Sequence, residues 1–190
     1  MLLKKKNIAV LFFFMLFLSL DATAQEKALF PVRNSKGKWG YKYETEGRWI
    51  VAPVYDDAGY FYDGMAAVSK TKGWHRSQTG GKLAERSFAG YIGSDGTLVV
   101  PLEYESTFDF CDGRGRVSVW IDDENMSART SSRWLYGYID VDGRSVVPCI
   151  YPYAEDFRNG MALVRWVSNG VWYQAYIDVN GEICSDIYEL

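Results

Sequence analysis

Few residues in this chain are of a type that does chemistry, and their spacing limits what that chemistry could be. His75 is the only histidine, so a Ser-His-Asp triad or an imidazole-based zinc site would have to be assembled around it. It lies in "TKGWHRSQTGGK", a stretch with Gly and Ser that reads as an exposed loop. The three cysteines, Cys111, Cys149 and Cys184, form no C-x-x-C motif, and an odd count leaves at least one without an intramolecular partner. Cys149 and Cys184 sit in strand-like runs, where a buried free thiol is the expected state. "DVDG", Asp140 to Gly143, starts like a calcium loop. Such a loop needs further oxygen ligands and a closing glutamate, which "DVDGRSVVPCIY" lacks. Asp56-Asp57 and Asp122-Asp123-Glu124 could supply the paired carboxylates of a glycosidase. Other copies of the repeat described next have Glu105-Ser106 and Pro152-Tyr153 in place of the first pair. We therefore expect no catalytic residue, no metal and no cofactor.

The elements that would position any site come from a repeat. "YDDAGYFYDGMAAV" (Tyr55 to Val68), "YESTFDFCDGRGRV" (Tyr104 to Val117) and "YPYAEDFRNGMALV" (Tyr151 to Val164) align without a gap on Phe61, Phe110 and Phe157, on Gly64, Gly113 and Gly160, and on the final valines. Upstream, Gly40-Tyr41, Gly90-Tyr91 and Gly137-Tyr138 each lead to a glycine and then to a β-rich run ending at Pro53, Pro101 or Pro148. Alternating Val, Ile and Tyr with polar residues is the period of a half-buried strand. Each unit reads as three strands: "MAAVSK", "GRVSVW" or "MALVRWV" first, a Gly-Tyr-Ile segment second, and "TLVVP" or "RSVVP" third. Asp95-Gly96, Asp142-Gly143 and Asn180-Gly181 lie between strand runs, where such pairs suit a type I′ hairpin. The prolines are expected at strand ends, because they lack the N–H of a sheet ladder. Ala28 to Tyr41 fits the first two strands of another unit. The fold class expected is all-β: an array of about four three-stranded antiparallel β-meander repeats, about twelve strands, arranged as a solenoid or open propeller-like.

"GKWGYKYETEGRWIVAPVYDDAGYFYDGMAAV", Gly37 to Val68, resembles the WG-repeat family of bacterial β-rich repeats. The matching residues are Trp39-Gly40, Pro53, Tyr55, Asp56, Phe61, Gly64, Ala66 and Val68. The namesake tryptophan is replaced by Ala89, Tyr136 and Gln174 in the later copies. The resemblance implies an all-β repeat scaffold, no transferable catalytic residue, and a role in binding or interaction.

At the N-terminus, "MLLKKKN" is basic, "IAVLFFFMLFLSL" (Ile8 to Leu20) is apolar, and "ATA" (Ala22 to Ala24) offers small residues for cleavage. The apolar run is shorter than the ~20 residues of a spanning helix. This is the pattern of a signal peptide over residues 1–24, with a β domain over 25–190 that is secreted or periplasmic. No integral membrane segment is expected after cleavage. The formal charge of −3 becomes more negative when the leader's lysines are lost, which argues against a nucleic-acid partner.

Repeat arrays place their insertions on one side. The variable connection is long in the middle units, "TKGWHRSQTGGKLAERSF" (Thr71 to Phe88) and "IDDENMSARTSSR" (Ile121 to Arg133). The first is basic, with Lys72, Arg76, Lys82 and Arg86; the second begins acidic. Trp74, Trp120, Trp134 and Trp166 lie in or beside these connections, and amphipathic rings suit binding surfaces. The candidate binding residues are therefore Trp74, Arg76, Trp120, Trp134 and Trp166. The expected partner is a protein or a cell-envelope glycan, and the function is that of an exported, non-catalytic interaction or ligand-binding module. A carbohydrate-binding surface is the first alternative and a small secreted hydrolase the second.

Overall fold

The structure is a computed structural model and describes residues 28–76, 83–121 and 132–190. The proposed leader, residues 1–24, lies outside them. Among these residues every regular element is a strand. The first sheet contains β1 (Leu29–Arg33), β2 (Trp39–Tyr43) and β3 (Val51–Tyr55). The second contains β4 (Asp57–Ala58), β5 (Met65–Arg76), β6 (Leu83–Gly93) and β7 (Leu98–Tyr104). The third contains β8 (Ser106–Cys111), β9 (Arg114–Trp120), β10 (Trp134–Asp140) and β11 (Ser145–Tyr151). The fourth contains β12 (Tyr153–Ala154), β13 (Met161–Ser168), β14 (Val171–Asp178) and β15 (Tyr188–Glu189). Within each sheet the strands follow chain order, as antiparallel meanders. The expected array of four repeats is present.

Three sheets carry one strand more than the sequence pattern suggested. β4, β8 and β12 are made by the residues after Tyr55, Tyr104 and Tyr151. They pair because backbone bonds set them: Asp56 N–H donates to Ser69 O at 2.9 Å and Glu105 N–H to Ser118 O at 2.9 Å. A two-residue strand such as β4 is too short to show alternation.

Turn chemistry is also distributed differently. The type I′ hairpins fall at Asp63-Gly64, Asp112-Gly113, Asn159-Gly160 and Asn169-Gly170, where both residues have positive φ, for example 48° and 78° in the first. At Asp95-Gly96, Asp142-Gly143 and Asn180-Gly181 only the glycine is left-handed. There Gly96 N–H donates to Gly93 O at 2.8 Å, and Gly93 N–H to Thr97 O at 2.9 Å. This is a type I turn closed by a glycine bulge. Glycine has a second reason to be at that point: a Cβ on Gly96 would meet Val51 Cγ2 of the first sheet at 2.8 Å, and one on Gly181 would meet Val147 Cγ2 at 2.6 Å. Each such turn presses on the sheet before it.

The prolines, expected at strand ends, lie inside β3, β7 and β11. These are edge strands, and the register of β7 on β6 shifts between Ala89 and Tyr91, opposite Pro101. An edge bulge tolerates the missing N–H. The basic connection from Thr71 to Phe88, read as a loop, is largely a continuation of β5 and β6, with Thr71 paired to Ser87 and Trp74 to Glu85.

The core lies between consecutive sheets. Leu29, Tyr41 and Tyr55 of the first pack with Ala66, Val68 and Ile92 of the second. Met65, Tyr91 and Val100 then meet Phe110, Val117 and Ile139, and Tyr138 and Val147 meet Phe157, Val164 and Ile177. A tyrosine–phenylalanine clasp closes every joint. Tyr41, Tyr91 and Tyr138 are edge-on to Phe61, Phe110 and Phe157, with centroids 5.4, 4.9 and 4.8 Å apart. Their hydroxyls donate to Gly59 O (2.8 Å), Phe108 O (2.6 Å) and Glu155 O (2.6 Å) of the following unit. Burial pushes all three phenols well above their ordinary pKa, so they stay protonated donors.

All three cysteines are free. Cys149 is partly buried, and burial pushes its thiol up to about 11. Cys184, expected in a strand, is exposed. It lies in an irregular run where only Ile183 makes an isolated bridge, to Ile177, because Ser185 and Asp186 interrupt the apolar alternation.

Candidate functional site

A cavity of about 340 Å³ opens between the second and third sheets. Its floor and one wall come from the second sheet: Gly59 just after β4, Ala67 on β5 and Ala89 on β6. The opposite wall is Thr107 and Asp109 of β8. Around the rim stand the hydroxyls of Ser69, Ser87 and Ser106 and the carboxylates of Asp57 and Glu105. No described lining residue is basic. Asp109 is exposed at the mouth. Desolvation in the groove and the negative charge of Asp156 hold its carboxyl above the ordinary range.

The repeat shows why this joint is open. Counting from the repeat tyrosine, Gly59 and Ala67 of the second unit correspond to Phe108 and Arg116 of the third; Ala89, before Gly90-Tyr91, corresponds to Tyr136, before Gly137-Tyr138. In the next joint these larger side chains fill the equivalent space. The Arg116 guanidinium lies 3.6 Å from the Phe108 ring centroid and 5.4 Å from that of Tyr136. Its Nε donates to Asp156 Oδ1 at 2.8 Å and its Nη1 to Ala154 O at 3.0 Å. Asp156 and Ala154 are the counterparts of Asp109 and Thr107. In the first joint, Trp39 occupies the position of Ala89 and packs against the core. The groove therefore exists because the three positions filled by Phe108, Arg116 and Tyr136 in the third unit are small in the second.

The WG containing repeat model matches residues 39–74, 90–119 and 136–172, more than half of the chain. The chain belongs to the WG containing repeat family. No curated protein and no solved structure matches it. Within this WG-repeat chain, the position that names the repeat is, at Ala89, one of the three small positions that line the cavity.

The residues singled out from sequence are dispersed. Trp120 and Trp134 are cross-strand neighbours on β9 and β10, with rings edge-on at 4.9 Å and Arg133 6.0 Å above Trp120. Trp166 is elsewhere, stacked on Tyr173 at 5.9 Å and lining a smaller apolar cavity of about 240 Å³ with Ile150, Tyr151 and Ile183. Trp74, His75 and Arg76 have strand backbone, but their side chains lie outside what the structure describes. Lys82, Asp122, Asp123 and Glu124 also lie outside the described residues. Asp56 does not face the groove partners. Its carboxylate is bound by the Lys38 ammonium and by Thr71 N–H at 3.0 Å, and the Lys38 bond holds its pKa below the ordinary range. Among the described residues no group of three His, Cys, Asp or Glu side chains is placed to hold a metal. Asp57 of the groove stood out in the sequence as half of the Asp56-Asp57 pair, but Gly59, Ala67 and Ala89 were missed because alanine and glycine carry no chemical signal. The available clue was the departure from the repeat at Ala89.

Proposed function

We propose that the protein is an exported, non-catalytic binding module, and that the groove between its second and third sheets is where it holds its partner. The observation that carries this reading is a cavity of about 340 Å³ at a joint whose flanking counterparts are filled by the chain's own side chains. Pockets of roughly 300 Å³ and above are of ligand-binding size. The rigid clasps of Tyr41, Tyr91 and Tyr138 would keep such a groove preformed, limiting the ordering cost of binding. Export follows from the leader pattern over residues 1–24, and a partner in the cell envelope follows from export.

Ala89→Trp tests the site by restoring the tryptophan of the repeat and closing the groove. Partner capture from an envelope fraction should be lost in the variant while its thermal melt stays intact. Equal capture by both proteins would remove the groove as the site.

A second reading, a small hydrolase, draws on Asp57, Glu105 and Asp109 lining one cavity. A carboxyl held above its usual range is the state a general acid needs. Turnover of a glycoside that Asp109→Asn abolishes would establish it. The glycan-binding alternative draws on the groove beside Trp166, and Trp166→Ala should then lose glycan binding while the Ala89→Trp protein retains it.

A further inference from the structure

We infer that the groove between the second and third sheets takes a guanidinium group, an arginine side chain presented by a partner protein. This deepens the binding reading above and rests on it.

The other units of the same chain point to this occupant. In three of the four, the position of the repeat tryptophan is in contact with an arginine. Arg33 pairs with Trp39 across β1 and β2 and lies over its ring at 5.9 Å. Arg116 lies over Tyr136 at 5.4 Å. Arg165 pairs with Gln174 across β13 and β14, with Nε donating to Gln174 Oε1 at 3.1 Å. In the second unit alone the position is Ala89, paired with Ser69, and the place of Arg116 is taken by Ala67. The receiving groups of the third joint are nevertheless present. Asp109 stands where Asp156 accepts from Arg116, and no described side chain bonds its carboxylate. Among the described residues the groove thus keeps the anionic acceptor and holds no cation.

Charge and shape both favour this occupant. Asp57, Glu105 and Asp109 make the lining acidic, so a cation is attracted and an anion repelled. A planar guanidinium donates to a carboxylate and to neighbouring hydroxyls at once, which an ammonium does less well. The volume left by three large side chains also admits the stem of an arginine and part of its neighbour.

The test uses N-acetyl-L-argininamide as probe, with the matching citrulline amide as a neutral isostere and chitotriose as a glycan arm. Binding to the ¹⁵N-labelled protein is followed by amide shifts. The expected result is saturable shifts at Ala67, Ala89, Thr107 and Asp109 with the arginine probe, and none with citrulline amide or chitotriose. Asp109→Asn should weaken binding roughly tenfold, the scale of one charge-assisted bond. Ala67→Arg places a tethered guanidinium in the groove and should abolish probe binding while raising the melting temperature. Asp156→Asn, in the filled joint, should leave probe affinity unchanged. Equal shifts with citrulline amide, or an unaltered affinity in Asp109→Asn, would overturn the assignment. If the arginine probe gives no groove shifts but Ala89→Trp still abolishes partner capture, the ligand class falls and the groove stands. If neither responds, both fall.

Discussion

Between the second and third sheets, Tyr91 and Phe110 close the joint; between the third and fourth, Tyr138 and Phe157 do so with ring separations of 4.9 and 4.8 Å. Each phenol reaches a backbone carbonyl of the next unit at 2.6 Å. A few ångströms away the joints diverge. One is filled by Phe108, Arg116 and Tyr136, and the other is left open over Gly59, Ala67 and Ala89. The repeat thus separates two jobs that a single core usually mixes. Its buried Tyr-Phe positions carry most of the cohesion, and its outer positions are freer to vary because cohesion depends on them less.

The largest effects should come from breaking what the two joints share. Phe110→Ala and Phe157→Ala each remove a ring that is 2% exposed and should each cost ~3–5 kcal/mol. Equal losses in denaturant melts would support a common clasp. If Phe110→Ala cost far less, the open joint would be the weaker one and the separation of roles would fail.

Arg116→Ala should have the next largest effect, because it turns the filled joint into a copy of the open one. Two charge-assisted hydrogen bonds and a stacked cation are lost, and the expected cost is about 1–3 kcal/mol. The variant should also gain binding of added methylguanidinium, read as a recovery of melting temperature. Ala67→Lys is the reverse experiment on the open joint, and a melting temperature above that of the wild type would show that Asp109 accepts a cation there.

Cohesion was legible in the sequence and the site was not, for a physical reason. Phe61, Phe110 and Phe157, the Gly-Tyr pairs and the left-handed glycines recur because packing and backbone geometry admit few alternatives at those points. Recurrence made four units and an all-β array readable from one chain. The turn types were misplaced because Asp-Gly satisfies both a type I′ pair and a glycine bulge, and only the flanking register distinguishes them. β4 and β12 were invisible because two residues show no period. The groove is built from an absence, and small residues become informative only when the neighbouring unit shows what they replaced. The tryptophans drew attention as bulky amphipathic rings, yet Trp120 and Trp134 are occupied with each other.

A smaller effect should follow from the stacked turns that register one unit on the next. Asp63 Oδ2 accepts from Gly113 N–H at 2.8 Å, and Asp112 Oδ2 from Gly160 N–H at 2.8 Å. Both bonds are exposed, so Asp63→Ala and Asp112→Ala should each cost ~0.5–1.5 kcal/mol. The losses should be equal; Gly113 N–H donates the first bond and Asp112 accepts the second, so the two meet in one turn and the double variant tests whether they add. Strong coupling in the double variant would mean that the joints communicate and are not independent.

The smallest expected effect is the most specific to the open joint. Asp109 is exposed, and its carboxyl is held above the ordinary range by desolvation and then by Asp156. The groups around it are Asp57 on β4, Glu105 ahead of β8, and Asp156 after β12; among the described residues the nearby cation is Arg116 on β9, which is engaged by Asp156. A carboxyl whose pKa is raised by folding contributes stability that is complete below its ordinary value of 3.8. That contribution is lost as pH rises through the raised value. Asp109→Asn has no charge to lose. It should therefore match the wild type in acid and melt slightly higher near neutral pH, with added argininamide narrowing the gap by restoring the wild type. A variant that melts lower than the wild type at neutral pH would mean that a cation already faces Asp109, and the contrast between the two joints would disappear.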